Sequence, residues 1–109
     1  MKREFIMTKV FDKLWSLHNM TDDDLHILQI ELMTNPRIGD IIQSTSGARK
    51  TRFAIKNKGK RGGMRVIYVD LENKEQLYLL LCYPKNQQDN LTPEQKKQIK
   101  ILIETLKGV

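Results

Sequence analysis

Only one of the 109 residues is a cysteine, Cys82, so no disulfide within the chain can staple the fold. Histidine is nearly as scarce. His18 and His26 fall in the first third, and no CxxC or HExxH spacing occurs. Two isolated histidines of this kind read as helix-surface residues, so neither metal nor cofactor is expected. No apolar run approaches the roughly 18–20 residues that cross a bilayer. The opening MKREFIMTKVF is broken by Glu4 and does not read as a secretory signal. Together these features suggest a cytoplasmic protein that does not engage a membrane. Nucleotide cradles of the GxxxxGK[ST] or GxGxxG type are also missing. GKRGGMR leads into a strand-like segment, whereas those loops need a helix N-terminus to hold phosphate.

One further lack is local. From Arg49 to Arg65 there is no acidic residue, while Arg49, Lys50, Arg52, Lys56, Lys58, Lys60, Arg61 and Arg65 supply eight cations. Residues 1–48 carry a net −2 and residues 66–109 a net zero, so the whole +6 excess originates in this stretch. Such self-repulsion opposes compactness, and its concentration is the footprint of a polyanion site, most often a phosphate backbone. A solvated basic loop is the plain alternative.

Around this stretch the periodicity changes twice. REFIM (3–7) suits a short strand. Val10, Phe11, Leu14, Trp15 and Leu17 recur at helical spacing. Thr21 followed by Asp22, Asp23 and Asp24 predicts a helix start, because a hydroxyl cap and three acids satisfy the positive end of the dipole. Leu25, Leu28 and Leu32 give that helix its apolar stripe, and Asn35-Pro36 and Gly39 end it. RKTRFAI then alternates, with Lys50, Arg52 and Lys56 on one side and Phe53 and Ile55 on the other. Residues 64–71 and 76–83 read as strands joined by a hairpin at 72–75. Thr92-Pro93-Glu94-Gln95 opens a last helix with a capping box, and Gly108 closes it. The order β-α-α-β-β-β-α predicts an α+β fold with its helices layered on one face of the sheet. The sheet is small and mainly antiparallel, with an N-terminal helical hairpin packed on it and a C-terminal helix, all in a single domain over 1–109.

Cys82, within LLLCYP, reads as a small core residue, and the scattered carboxylates form no obvious acid–base pair. What remains is cationic. Lys50 and Arg52 leave one strand, Arg65 opens the next, and Tyr83, Lys85 and Asn86 leave the end of the third. Adjacent strands bring such groups together, and this suits RNA cleavage without histidine. A base takes the 2′-hydroxyl proton, an acid protonates the leaving 5′-oxygen, and cations stabilise the phosphorane. A lysine crowded by cations can serve as base. Tyrosine can stack on a base or pass a proton, although Tyr68, Tyr78 and Tyr83 also read as core aromatics.

SGARKTRFAIKNKGKRGGMRVIYV followed by LLLCYPKNQQDNLTPEQKKQI is similar to the RelE/HigB toxin superfamily, its HigB branch above all, and LQIELMTNPRIGDIIQ resembles that branch as well. The resemblance implies the toxin of a bacterial toxin–antitoxin pair: a ribosome-dependent mRNA endoribonuclease that cuts the A-site codon and leaves a cyclic phosphate and a 5′-hydroxyl. It implies a cognate antitoxin, commonly of helix-turn-helix type, and the ribosome with its mRNA as partners. Catalytic positions carried over are Lys50, Arg52, Arg65, Tyr83 and Lys85. RNA- or ribosome-binding positions are Arg49, Lys56, Lys58, Lys60, Arg61, Tyr68 and Asn86. The QSTSGARKTR turn departs from the glycine-rich turn of that branch. Asn86 stands near the place where the RelE branch has a second arginine, and Leu91 near the place of its helix tyrosine. The alternative is a non-catalytic RNA- or ribosome-binding module, a decayed toxin. A DNA-binding regulator is the weaker third reading, since the helices are not basic.

Overall fold

The computed structural model describes residues 2–54 and 63–108. Its elements are strand β1 (Glu4–Met7), helices α1 (Lys9–Leu17) and α2 (Asp22–Thr34), strands β2 (Asp40–Ile41), β3 (Arg49–Ala54), β4 (Gly63–Leu71) and β5 (Gln76–Pro84), and helix α3 (Pro93–Lys107). One sheet runs β1-β5-β4-β3-β2, parallel between β1 and β5 and antiparallel elsewhere. The two-residue β2 was not anticipated, being too short to show any periodicity. The expected hairpin turn at 72–75 is a single 3₁₀ turn closed by Glu75 in the left-handed region.

The helix ends follow the side chains that the sequence placed there. Thr8 caps α1: its hydroxyl accepts from the Phe11 N–H and donates to the Leu80 carbonyl at 2.9 Å, which ties the helix start to β5. Thr21 and Asp24 form a reciprocal capping box on α2, and Thr92 and Gln95 form one on α3. Gly108 ends α3 in the left-handed conformation that glycine adopts without a Cβ penalty.

The sheet is covered on both faces, which corrects the expectation of helices on one face only. Phe11, Trp15, Leu28 and Leu32 of α1 and α2 pack on Met64, Val66, Tyr68, Leu77, Leu79 and Cys82. Ile99 and Ile103 of α3 pack on Ile67, Val69, Leu71 and Leu80, on the other side. This explains why both sides of 64–71 are apolar: the two alternating sets of one central strand feed two cores. A stacked Phe11–Trp15 pair, with ring centroids 5.3 Å apart, and Trp15 against Phe53 at 5.8 Å centre the first core.

Two polar ties fix the segment between α2 and β3 and the start of the chain. The Tyr68 hydroxyl is buried; it donates to the Pro36 carbonyl at 2.8 Å and accepts from the Gly39 N–H at 3.0 Å. Gly39 sits so close that an added Cβ would meet the Lys50 carbonyl oxygen at 2.9 Å, so a larger residue would force the backbone apart. Arg3 and Asp70 form a forked, nearly buried ion pair, with its shorter contact at 2.6 Å. Tyr68→Phe removes both partners of a buried N–H and C=O and is expected to cost about 1–3 kcal/mol. The fall in melting temperature of that variant checks this.

Candidate functional site: a cationic row across three strands

The register of the sheet decides which side chains meet. Arg52 lies opposite Arg65, and Arg65 lies opposite Tyr83, so the three form one row across β3, β4 and β5. Lys50, opposite Ile67, belongs to the next row on the same face. A β-bulge makes this possible. Tyr68 pairs with Leu79 and Ile67 with Leu81, so Leu80 is an extra residue in β5. Upstream, Leu77 and Leu79 face α1 and α2; downstream, Cys82 takes that face and Tyr83 moves to the face of Arg65. Without the extra residue, strict alternation would send Tyr83 into the opposite core.

Within the row, Arg65 is about one-fifth exposed, and its Nη2 lies 3.8 Å from Asp89 Oδ1. Its Nε and the Tyr83 hydroxyl are both buried without a hydrogen-bond partner among the described residues. Each such group costs about 1–3 kcal/mol when left unpaired. Two of them on adjacent strands, beside a guanidinium, suit an oxyanion. Burial raises the Tyr83 pKa, Arg65 lowers it and Asp89 raises it again, so the phenol is held neutral as a donor. Arg52 is exposed and its guanidinium lies against Gly63, 3.5 Å from where a Cβ would stand. The Lys50 Nζ donates to Asn90 Oδ1 at 3.0 Å.

The remaining expected residues divide. Lys85 and Asn86 are exposed in the turn just past β5, beside the row, and the Lys85 N–H bonds the Gly63 carbonyl. Lys56, Lys58, Lys60 and Arg61 lie outside the described residues. Tyr68 and Arg49 pair with each other on the opposite face, and this corrects their placement as RNA contacts. Tyr68 is fully buried with its hydroxyl engaged, so it offers no surface for stacking. Arg49 is half-buried and its guanidinium clamps the carbonyls of Gly39, at 2.7 Å, and Arg37. Asp89 and Asn90 were missed; they follow β5 in a loop that sequence alone reads as the lead-in to α3.

Cavities of about 430 Å³ beside Asp70–Lys74 and Lys107 and of about 340 Å³ between the start of α1 and α3 are lined by residues outside the row. Among the described residues no group of histidine, cysteine and carboxylates is placed to hold a metal ion, and no helix is long and apolar enough to cross a membrane.

Residues 3–109 match the family model described as the RelE toxin of the RelE/RelB toxin–antitoxin system. The fold is similar to that of E. coli toxin RelE, solved in the free state as a double arginine-to-alanine mutant. The TM-score is 0.56 with 14% sequence identity, covering 82% of this chain and 90% of that one. The family match extends over nearly the whole chain, and the chain therefore belongs to the RelE toxin family.

Cys82 plays no nucleophilic part. It is fully buried, and desolvation, with a smaller contribution from Asp12, pushes its thiol up from 9.0 to about 12. Tyr68 and Tyr83 are raised as well, each chiefly by burial. The unfolded chain therefore releases these protons at lower pH than the folded one, so it binds fewer protons in that window and stability falls as pH rises. Urea midpoints should decline between pH about 9 and about 12, and Cys82→Ala should flatten part of the decline.

Proposed function

We propose that this RelE-family protein is a HigB-like, ribosome-dependent mRNA endoribonuclease of a cytoplasmic toxin–antitoxin pair. The observation that carries the reading is the single row of Arg52, Arg65 and Tyr83 across β3, β4 and β5, with Arg65 Nε and the Tyr83 hydroxyl buried and unpartnered among the described residues. The HigB assignment rests on the ordered run RKTR…GKRGGMR…LLLCYPKN. A small helix-turn-helix antitoxin would be its cognate partner.

In this reading the scissile phosphate lies over Arg65, whose guanidinium meets the charge that grows as the 2′-oxygen attacks. Arg52 and Lys50, from the next strand, hold the remaining non-bridging oxygen and the neighbouring phosphate. Tyr83, kept protonated by burial, donates a hydrogen bond to the phosphorane or the leaving 5′-oxygen. Lys85, exposed at the rim beyond Tyr83, is assigned as the group that takes the 2′-hydroxyl proton, and the Tyr83 hydroxyl as the one that protonates the 5′-oxygen as its bond to phosphorus breaks. The reaction ends in a 2′,3′-cyclic phosphate and a 5′-hydroxyl. A few cations alone position a flexible RNA poorly, and the ribosome would supply that order by presenting one codon in the A site.

The test is a translation reaction with programmed ribosomes, read by primer extension. The wild-type protein should cut within the A-site codon. Arg65→Ala should lower cutting by about 10²-fold or more, the range for losing one transition-state donor, at nearly unchanged melting temperature. Intact A-site mRNA with the wild type would remove the nuclease reading and leave the RNA-binding one.

A further inference from the structure

The connection from β5 to α3 places oxygens on two of the site's cations. Asp89 Oδ1 stands 3.8 Å from Arg65 Nη2, and Asn90 Oδ1 accepts from Lys50 Nζ at 3.0 Å. These consecutive residues thus reach cations on two neighbouring strands, β4 and β3. The loop is held on its other side too. Gln88 Nε2 donates to the Asn90 carbonyl at 2.9 Å and to Gln95 Oε1 at 2.8 Å, and Gln95 is the reciprocal member of the α3 capping box. The carboxylate is therefore presented from an anchored loop, although its side chain is about three-quarters exposed. Beneath it, Arg65 Nε and the Tyr83 hydroxyl remain without partners.

From this arrangement we infer that Asp89 is a built-in competitor of the substrate: it stands at Arg65 where a phosphate of RNA stands in the complex, and RNA binds by displacing it. This inference rests on the cationic row being the RNA site, as proposed above. A carboxylate and a phosphate make the same charge-assisted contact to a guanidinium, so they exclude each other there. The pair is 3.8 Å long and its carboxylate is largely exposed, hence it is weak, and a phosphodiester held in place by Arg52 and Lys50 as well outcompetes it. The consequence is a site whose affinity for isolated RNA is held down. A free protein of this kind binds stray RNA less, while a phosphate fixed in place by a ribosome still displaces the carboxylate.

The experiment measures binding of a fluorescently labelled single-stranded oligoribonucleotide carrying 2′-O-methyl groups throughout, which cannot be cut by 2′-oxygen attack. Asp89→Asn keeps the shape and removes the charge. It should tighten binding by about threefold, the scale of an exposed ion pair. Asp23→Asn, an equal change of net charge in the first turn of α2, serves as control and should not move the affinity beyond scatter. In an Arg65→Ala background the gain from Asp89→Asn should vanish, since the competition requires the guanidinium. The inference is overturned if Asp89→Asn binds no more tightly than the control, or if the gain persists without Arg65. The readout does not depend on cutting, so a protein that binds RNA and leaves it intact on the ribosome would still test this point.

Discussion

The extra residue in β5 is the constraint on which the site depends. A strand alternates without exception, and β5 must serve the α1–α2 core with Leu77 and Leu79 and again with Cys82. Those three residues share a face only because Leu80 is bulged out opposite Ile67 and Tyr68. The same slip turns Tyr83 over to Arg65. One irregularity thus reconciles a continuous apolar floor on one side with a polar row on the other. The Thr8 hydroxyl bonds the carbonyl of Leu80 itself, so the bulge is also the place where the α1 cap is fastened.

Cations set directly opposite each other on adjacent strands destabilise a sheet, and Arg52 faces Arg65 in this way. The fold accepts that cost with Arg52 exposed to solvent. The oxygens of Asp89 and Asn90 offset part of the repulsion. On the opposite face the flanking residues Phe53, Met64 and Val66 still belong to the first core, so the charge is confined to one side of the sheet. Arg49 belongs to a different piece of design. It sits one residue from Lys50, points to the other face and closes the chain between α2 and β3 together with Tyr68.

Much of this architecture was legible because it is local. Both capping boxes, the proline at the start of α3, the closing Gly108 and the alternation of RKTRF each involve neighbours in the chain, and the elements formed where those signals stood. Lys50 and Arg52 were legible as candidates by the same alternation and by the density of charge, and Arg65 and Tyr83 by standing at the start and the end of the next two strands. Tyr68 and Arg49 show the limit of that reasoning. Their residue types suit RNA as well as they suit a core clamp, and only the pairing of β3 with β4 puts them on the far face. The Arg3–Asp70 pair, 67 residues apart, and the two-residue β2 left no periodic signal at all.

The sequence by itself determined where elements start and stop, which faces are apolar and where the positive charge is concentrated, since hydroxyl caps, side-chain period and composition act within a few residues. Tertiary structure alone decided that α3 covers the second face of the sheet, that a bulge at Leu80 swings Tyr83 to Arg65, and that Asp89 and Asn90 come to rest on cations from two other strands. Those outcomes depend on strand register and on loop closure between distant segments, and neither quantity has a local signature in the chain.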